Sequence, residues 1–347
     1  MSYSIFSATA ALPPVHKGWR IAQVLVWLAG AGLVALLLWF PAVGLLLFWN
    51  VLIPVAPALL VVATGLWRNV CPLASTVLLP RHLGVSARKK MPAGMQAWLG
   101  VLSIVVLLII VPLRHAVFNH NGWATALLLL GSAATGIALS LRYDWKSGWC
   151  ASLCPIHPVE KMYGSNQLLQ LPNAHCHACV NCSLPCPDAT PNMRLDTALK
   201  HAPLKHAQQG LLAGFPGFIW GWFQVPDHQP LHNWHDVWLI YADPMMGFGI
   251  SLFLFYSLRL LLPAQQQHRI ARLFPALAVS CYYWFRIPAL LGFGPHHEDG
   301  LLMDLQGIIP AWTPVLIASL VVAFFMWWLL LRKPNKKSWL TRPAFLK

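Results

Sequence analysis

The sequence predicts an all-α polytopic membrane protein, and three observations support this fold class. Of its 347 residues, 57% are hydrophobic and only 10% are charged, whereas soluble domains carry about 25% charged residues. Eight stretches are apolar over the roughly 20 residues that a helix needs to cross a bilayer. All but two of the 24 lysines and arginines fall on one side of these stretches.

The eight expected transmembrane helices divide the chain into three regions. Their approximate bounds are 20–40, 44–66, 96–113, 122–142, 208–224, 237–262, 270–293 and 305–331. The regions are a four-helix N-terminal membrane region with the first Cys-Pro loop (1–142), a cytoplasmic segment (143–206) and a four-helix C-terminal membrane region (207–347).

The fifth expected span, 208–224, is short and rich in glycine. It holds two glycine pairs at small-xxx-small spacing, Gly210 with Gly214 and Gly217 with Gly221. This spacing lets membrane helices approach closely, although glycine from composition alone is an equally good explanation.

The basic residues predict the orientation. Loops rich in lysine and arginine stay in the cytoplasm, which places both termini inside a bacterial inner (cytoplasmic) membrane. The first basic residues, Lys17 and Arg20, precede a run long enough to span, which favours a retained anchor over a cleaved signal peptide. The exceptions are Arg114, in an outer loop, and Arg286, within the seventh span. The net charge of +14 is therefore explained by topology and contact with anionic membrane lipids, and nucleic acid is not an expected partner.

The cytoplasmic segment contains a dense cysteine run, HCHACVNCSLPCP at 175–187. Its C-x2-C-x2-C-x3-C-P spacing is formed by Cys176, Cys179, Cys182 and Cys186. Disulfides are improbable in the reducing cytoplasm, where clustered cysteines indicate metal or redox chemistry. The spacing is that of bacterial ferredoxins, which predicts a small ferredoxin-like insertion binding a 4Fe–4S cluster. A structural zinc site is the alternative, but its two C-x2-C knuckles are normally a dozen or more residues apart.

Three further cysteines lie beside prolines or near them. Cys71 precedes Pro72, and Cys150 with Cys154 forms a C-x3-C-P motif. Each motif follows a two-helix hairpin, so residues 20–80 and 96–163 look like a loose internal repeat. In ferredoxins of this spacing, the fourth cysteine of the run serves a second cluster.

The number of cysteines is compatible with either one cluster or two. In the two-cluster arrangement, Cys71, Cys150 and Cys154 belong to a shared or second cluster, which is then one ligand short. A histidine (His157, His175 or His177), a water or a three-iron cluster would fill that gap. In the one-cluster arrangement, the run alone binds the cluster.

At these residues the chain resembles the membrane-bound ferredoxins of the NapH/NosR type, which combine C-x3-C-P hairpins with a cytoplasmic ferredoxin run. The resemblance covers roughly residues 20–190 and implies electron exchange with the quinone pool and a periplasmic reductase. The chain has one ferredoxin run where the family commonly has two, and Trp67 stands where the first C-x3-C-P motif would begin. Residues 207–347 have no counterpart in the resemblance.

The function expected from these features is electron transfer. A membrane-bound iron–sulfur protein would pass electrons between the cytoplasmic side or quinone pool and a redox partner protein in the membrane or periplasm. It would then be an electron-transfer component of an oxidoreductase, for which a quinol dehydrogenase is one candidate. The alternative is a metal-handling permease or assembly factor whose cluster is regulatory, and a redox sensor is a third hypothesis. The expected spans contain few polar residues that could line a transport pathway.

Arg286 is the main charged residue within an expected span. One interpretation is a side chain that snorkels to the headgroups. The other is a contact to a quinone carbonyl or a haem propionate, among Tyr282, Tyr283 and Trp284.

Histidines and acidic residues collect on the expected outer face. The histidines there are His115, His120, His228, His232, His235, His296 and His297. Those at 228, 232 and 235 have a spacing that would line one side of a helix. Imidazoles and carboxylates suit a metal ion, and two imidazoles could ligate a haem. The alternatives are ordinary solvated loops and a docking surface for a basic periplasmic partner.

Overall fold

The computed structural model describes residues 17–144, 146–169, 171, 174, 201–227, 234–263, 266–296 and 299–332, and this part of the chain is all-helical. Its α-helices are α1 (Lys17–Trp39), α2 (Pro41–Leu45), α3 (Ile53–Val70), α4 (Pro72–Val77), α5 (Leu79–His82), α6 (Ala93–Leu113), α7 (Gly122–Arg142), α8 (Ile156–Tyr163), α9 (Ala202–Trp222), α10 (Trp234–Leu261), α11 (Gln267–Leu290) and α12 (Trp312–Met326). Wider π-helical turns occupy Leu46–Leu52, Arg114–Phe118, Lys146–Leu153 and Trp327–Leu331.

Seven helical segments of the described chain are long and apolar enough to cross a membrane. They are Lys17–Trp39, Pro41–Val77, Ala93–Phe118, Gly122–Arg142, Trp234–Leu261, Gln267–Leu290 and Trp312–Leu331. The expectation of a multi-pass, all-α membrane protein is confirmed, and seven of the eight expected spans coincide with these segments. The exception is the fifth expected span, 208–224, which forms helix α9. This helix is not among the seven because its first turns carry polar residues such as Lys205 and Gln208.

Helix α9 packs at the centre of the bundle, where α6, α10 and α11 surround it. Its buried residues point to all sides, from Leu211 and Leu212 through Phe215 to Phe218. A helix that is buried all round belongs in a protein interior. The central core therefore forms around α9.

The glycines of α9 allow α10 to approach closely, as the spacing predicts for three of the four. A Cβ on Gly217 would lie 1.9 Å from the carbonyl oxygen of Gly247, and one on Gly221 would lie 2.1 Å from that of Asp243. A Cβ on Gly214 would meet the ring of Phe248. Only Gly210 faces open space.

The outward faces of the spans expose large apolar side chains, among them Trp39, Phe253 and Leu260. Exposure on this scale would be a liability in water, whereas lipid tails cover it in a membrane. The exposed faces are therefore consistent with the membrane assignment.

Helix α3 connects two polar regions at opposite ends of the bundle. Near its start, the Tyr283 hydroxyl donates to the carbonyl oxygen of Pro54 (2.6 Å), one helical turn from Arg286. Its last residue is followed by Cys71. We call the first region the histidine end, because it contains His115 and His296, and the second the cysteine end.

Candidate functional site

The cysteine end is shaped by a break in helix α3. Ala63 leaves the helical conformation (φ −146°, ψ 58°). The carbonyl oxygen of Val62 accepts hydrogen bonds from the backbone N–H groups of Leu168 and Leu169, both at 2.9 Å. On the other side of the break, the N–H of Gly65 donates to Oε1 of Gln167 (3.2 Å). Because of the break, backbone groups of α3 are free to form hydrogen bonds with residues 167–169. These residues belong to the segment that leads to the cysteine run.

Asn69 holds Ala174, the last residue before the cysteine run that the structure describes. Its side chain is fully buried, and its Oδ1 accepts from the N–H of Ala174 at 2.8 Å. The backbone carbonyl of Asn69 accepts from Nε2 of Gln23 (3.0 Å), which ties the same turn to α1. Ala174 is two residues before Cys176, and Asn69 is two residues before Cys71. The entry to the run is therefore close to the first Cys-Pro motif.

Both Cys-Pro cysteines lie at the start of a short helix. Cys71 is the residue before α4, and the N–H groups of Leu73 and Ala74 point at its sulfur. Cys154 lies two residues before α8, and the N–H of Ile156, the first residue of that helix, points at its sulfur. Helix N-termini favour negative charge because their first N–H groups have no partner within the helix. These N–H groups therefore offset part of the cost of burying a negative charge at each sulfur.

Burial has the largest effect on the pKa of the Cys154 thiol. Loss of solvent raises its pKa to about 12, the neighbouring Cys71 raises it further, and the N–H groups of Ile156 and His157 oppose the rise. A metal would have to displace that proton, so binding would release protons and depend on pH.

The cysteines of the two motifs pack against one apolar cluster, which consists of Ala74, Val77, Leu78 and Trp149. Cys71, Cys150 and Cys154 all contact it. The remaining described cysteine, Cys281, packs into the central core instead. The fold therefore places these three cysteines against the same apolar cluster, although among the described residues they do not form a group arranged to hold a metal ion.

The cysteine run, Cys176 to Cys186, lies outside the described residues, as do His175 and His177. Within the described ranges, no group of three or more His, Cys, Asp or Glu side chains is arranged to hold a metal ion. The prediction of a cluster on the run stays a prediction.

Charged side chains are buried beside these cysteines. Arg68 pairs with Glu160, whose other oxygen lies 4.0 Å from Nδ1 of His157. Burial alone would raise the pKa of Glu160, but the charge of Arg68 and the contact with His157 outweigh it and hold the pKa at about 2. Lys146 and Lys161 are also buried, 4% and 2% exposed.

His157 is the one candidate extra ligand that the structure describes. It is 4% exposed, and neither ring nitrogen has a hydrogen-bond partner in the described part of the chain. Burial lowers its pKa, so the imidazole is neutral at pH 7. A neutral imidazole can ligate a metal, so His157 is still a candidate for the ligand that the second cluster lacks.

The histidine end contains a hydrogen-bonded network that begins at the π-helical turn Arg114–Phe118. Nδ1 of His115 lies 2.5 Å from Oδ1 of Asp227, and its Nε2 lies 3.0 Å from the carbonyl oxygen of Trp222. Asn119 donates to the other oxygen of Asp227 (2.6 Å). Both ring nitrogens of His115 are therefore engaged, and neither is available to a metal or a haem iron as the side chain is placed.

Asp227 is held as an anion by this network. Burial would raise its pKa, but the hydrogen bond from His115 and the charge of Arg114 lower it overall. Its backbone N–H donates to Oδ2 of Asp299 at 2.6 Å, which joins the network to the loop before α12.

Two arginines complete the histidine end. The guanidinium carbon of Arg114 lies 4.7 Å from the ring centre of Trp49 and 5.1 Å from that of Trp222. Nη2 of Arg286 donates to the carbonyl oxygen of Trp49 (2.8 Å) and to Oδ1 of Asn50 (2.9 Å). Arg286 is 2% exposed and does not snorkel to solvent.

The structure brings only some of the predicted outer residues together. His115, His296 and Arg286 line one pocket, and His120 bonds through Nε2 to the carbonyl oxygen of His115 (3.0 Å). His235 is exposed on the first turn of α10. His228, His232 and His297 lie outside the described residues, so the helical stripe predicted for 228–235 is not tested.

Sequence reasoning did not assign the arginine and asparagine partners of this network. Arg114 had one available signal, because it is a basic residue in an expected outer loop, where lysine and arginine are otherwise absent. Asn50 and Asn119 carried no comparable signal.

The fold defines the chain as a multi-pass α-helical membrane protein with polar sites at both ends of its bundle. Comparison with protein-family models, with curated proteins and with solved structures finds no match to it.

Proposed function

We propose that the protein is a membrane-bound iron–sulfur electron carrier, with cluster binding at the cysteine end. The observation that carries the proposal is the ferredoxin spacing of Cys176, Cys179, Cys182 and Cys186. A 4Fe–4S cluster bound there would supply one-electron transfer, while the chain would position it and exclude water.

Two features of the described residues near the run support the proposal. Cys71, Cys150 and Cys154 share one apolar cluster, which would limit solvent access to a bound centre. Backbone N–H groups point at the sulfurs of Cys71 and Cys154, and hydrogen bonds to cluster sulfurs are one of the means by which proteins tune potential. The arrangement therefore offers both ligands and electrostatic support.

The buried charges also suit an anionic group. Four basic residues of this end are largely buried, with Asp144 and Glu160 as acidic counterparts; they are Arg68, Arg81, Lys146 and Lys161. A thiolate-ligated cluster is negatively charged, and buried cations beside it would offset part of its charge in a medium of low dielectric constant.

The supply of sulfur ligands favours two clusters over one. Cys176, Cys179 and Cys182 would hold the first cluster with Cys71 or Cys154. Cys186 would hold the second with the remaining two of Cys71, Cys150 and Cys154. The anchor between Asn69 and Ala174 supports this division, because it brings the entry of the run to Cys71. His157 would be the described candidate for the remaining ligand. A redox partner in the membrane or periplasm, or a quinone, would then exchange electrons with these centres.

The test compares two single-cysteine variants of the full-length protein, purified anaerobically. We expect about seven or eight iron atoms per chain in the wild type, which separates two clusters from one with about four. Cys71→Ser should lower the iron and sulfide content and change the EPR spectrum of the dithionite-reduced protein. Cys281→Ser is the matched control, because Cys281 lies in the central core and should leave both unchanged.

A wild-type protein without iron and acid-labile sulfide would refute the proposal as a whole. Normal iron with identical spectra for both variants would instead exclude only Cys71 and the two-cluster arrangement.

A further inference from the structure

The loop between α5 and α6, residues 83–92, is paired with the end of a membrane span. The N–H of Ala87 donates to the carbonyl oxygen of Leu141 (2.7 Å), and that of Lys89 donates to the carbonyl oxygen of Arg142 (3.0 Å). Leu141 and Arg142 are the last two residues of α7, which is one of the seven apolar segments. The loop therefore lies at the depth where this span leaves the hydrocarbon, in the headgroup layer of the bilayer.

The same two hydrogen bonds hold Arg88 in an unusual backbone conformation. With a φ of 51°, Arg88 is the one non-glycine residue in the described part of the chain whose φ is positive. Residues with a Cβ rarely adopt this region, because the Cβ approaches the following carbonyl oxygen. Such a conformation persists where the surrounding structure enforces it, and here the paired residues Ala87 and Lys89 lie on either side. The loop is therefore held in a defined shape against α7.

The surface formed by this loop and the end of α7 is positively charged. Four basic side chains, which we call the basic junction, are exposed there: Arg88, Lys89, Lys90 and Arg142. Within the described ranges, no carboxylate oxygen lies within 4.0 Å of Lys89, Lys90 or Arg142. Asp144, which follows α7, is 1% exposed and lies 3.7 Å from Nη1 of Arg81. The basic junction therefore presents positive charge to its surroundings.

Apolar side chains are exposed beside the basic junction. Leu83 and Val85 of the same loop are 67% and 59% exposed, and Leu141 is also exposed. A segment that lies in the membrane interface places apolar side chains against the acyl chains and basic side chains at the level of the phosphates. This combination favours a lipid over a soluble acidic protein as the partner of the basic junction.

We propose that the basic junction binds the headgroup of an anionic phospholipid. Lysine and arginine donate charge-assisted hydrogen bonds to phosphate oxygens, and the planar guanidinium of arginine can donate two in parallel. Basic residues next to a span also attract anionic lipids electrostatically. The site is more specific than the overall basic charge of this side of the protein, and it does not depend on the clusters proposed at the cysteine end.

A bound lipid would also stabilise the start of the π-helical turn that carries Cys150. The carbonyl oxygen of Lys89 accepts a hydrogen bond from the N–H of Asp144 (2.9 Å). The carbonyl oxygen of Asp144 in turn accepts from the N–H of Gly148 (2.7 Å), within the turn Lys146–Leu153. Because the loop and the turn are joined in this way, a ligand that binds the folded loop should raise the unfolding midpoint of the protein.

The experiment measures the binding of phosphatidylglycerol to the full-length protein in neutral detergent by native mass spectrometry, with phosphatidylcholine as the uncharged reference. Lys89→Gln/Lys90→Gln/Arg142→Gln should weaken phosphatidylglycerol binding on the order of a hundredfold at low salt, since each basic residue near an anionic surface contributes about fivefold. The three side chains are exposed and the hydrogen bonds of the loop are formed by the backbone, so the variant should fold like the wild type. Phosphatidylglycerol should raise the unfolding midpoint of the wild type more than that of the variant.

Lys17→Gln/Arg20→Gln/Lys205→Gln is the matched control. It removes the same charge from exposed positions at the same end of the bundle, on the first turns of α1 and α9. Its affinity for phosphatidylglycerol should remain close to that of the wild type, because the contacts of the basic junction are intact.

Equal losses of affinity in the two triple variants would reduce the effect to overall surface charge and overturn the assignment, as would equal binding of the two lipids by the wild type. If glycerol 1-phosphate, which has no acyl chains, binds as tightly as phosphatidylglycerol, the ligand is a free phosphate and the lipid site is refuted. Unchanged affinity in Lys89→Gln/Lys90→Gln/Arg142→Gln would also refute it and would leave these cations to an acidic protein partner.

Discussion

Replacing Asn69 by alanine should loosen the junction between helix α3 and the segment that enters the cysteine run. The substitution removes the acceptor of the Ala174 N–H, at 2.8 Å, from a fully buried position. Ala174 is itself only 7% exposed, so water cannot readily replace the lost bond. A buried donor without a partner costs about 1–3 kcal/mol, and we expect the free energy of unfolding to fall by that amount. If the clusters are bound as proposed, the EPR spectrum should also change.

Asn121→Ala provides the matched control. Asn121 likewise accepts one backbone hydrogen bond, from Ala124 at 3.0 Å, but it caps α7 at an exposed site of the histidine end. Loss of such a cap costs about 0.5–2 kcal/mol, so both variants should be destabilised to a similar degree. Denaturant titration gives the stabilities, and iron content and EPR report the cysteine end. The reasoning fails if Asn69→Ala unfolds like the wild type, or if its iron and EPR properties change no more than those of Asn121→Ala.

Two further predictions concern the packing of α9 and the ion pair at the histidine end. Gly217→Ala should lower the free energy of unfolding by at least about 1–3 kcal/mol, because the new methyl group would overlap the carbonyl of Gly247. Gly210→Ala should be neutral or stabilising in the same unfolding assay, because Gly210 faces open space. Equal effects of the two substitutions would contradict the packing argument. Asp227 has a lowered pKa in the folded state, so its contribution to stability is present above its unfolded value of 3.8 and is lost as the pH falls through the folded value. The difference in unfolding free energy between wild type and Asp227→Asn should therefore be largest near neutral pH and shrink below about pH 4. A constant difference across that range would show that ionisation of Asp227 beside His115 does not stabilise the fold.

The spans were predictable because hydropathy reports directly on the lipid that surrounds them. Helix α9 is an element whose position in the bundle hydropathy does not predict. Its glycines and its polar first turns suit neighbouring helices on all sides, and average hydropathy does not distinguish such a helix from a weak span. The close approach at Gly217 was nonetheless visible in the glycine spacing, because the required geometry repeats locally along one helix.

The two ends of the bundle differ in the same way. Cys71 and Cys154 could be assigned to one region because each carries the same local Cys-Pro signature. Arg286 could not be assigned its partners, since Trp49 and Asn50 lie 237 and 236 residues away in sequence. Contacts of that range follow from the packing of α11 beside α3, which no local pattern encodes. Ala63 is a similar case, because Pro57 and Gly65 weaken α3 on either side of it but do not identify Ala63 as the position of the break.

Helix α3 contributes to both ends of the bundle, yet substitutions at the two ends should affect the protein separately. From Pro54, which bonds to Tyr283, to Cys71 is a rise of roughly 25 Å at 1.5 Å per residue. Substitutions separated by more than about 7–10 Å and without shared partners usually have additive effects on stability. Cys71→Ser and Tyr283→Phe should therefore have additive effects on the free energy of unfolding, and Tyr283→Phe should leave the iron content intact. Coupling in a double variant would instead mean that α3 transmits a change from one end to the other, and the break at Ala63 is the element on which such transmission would depend.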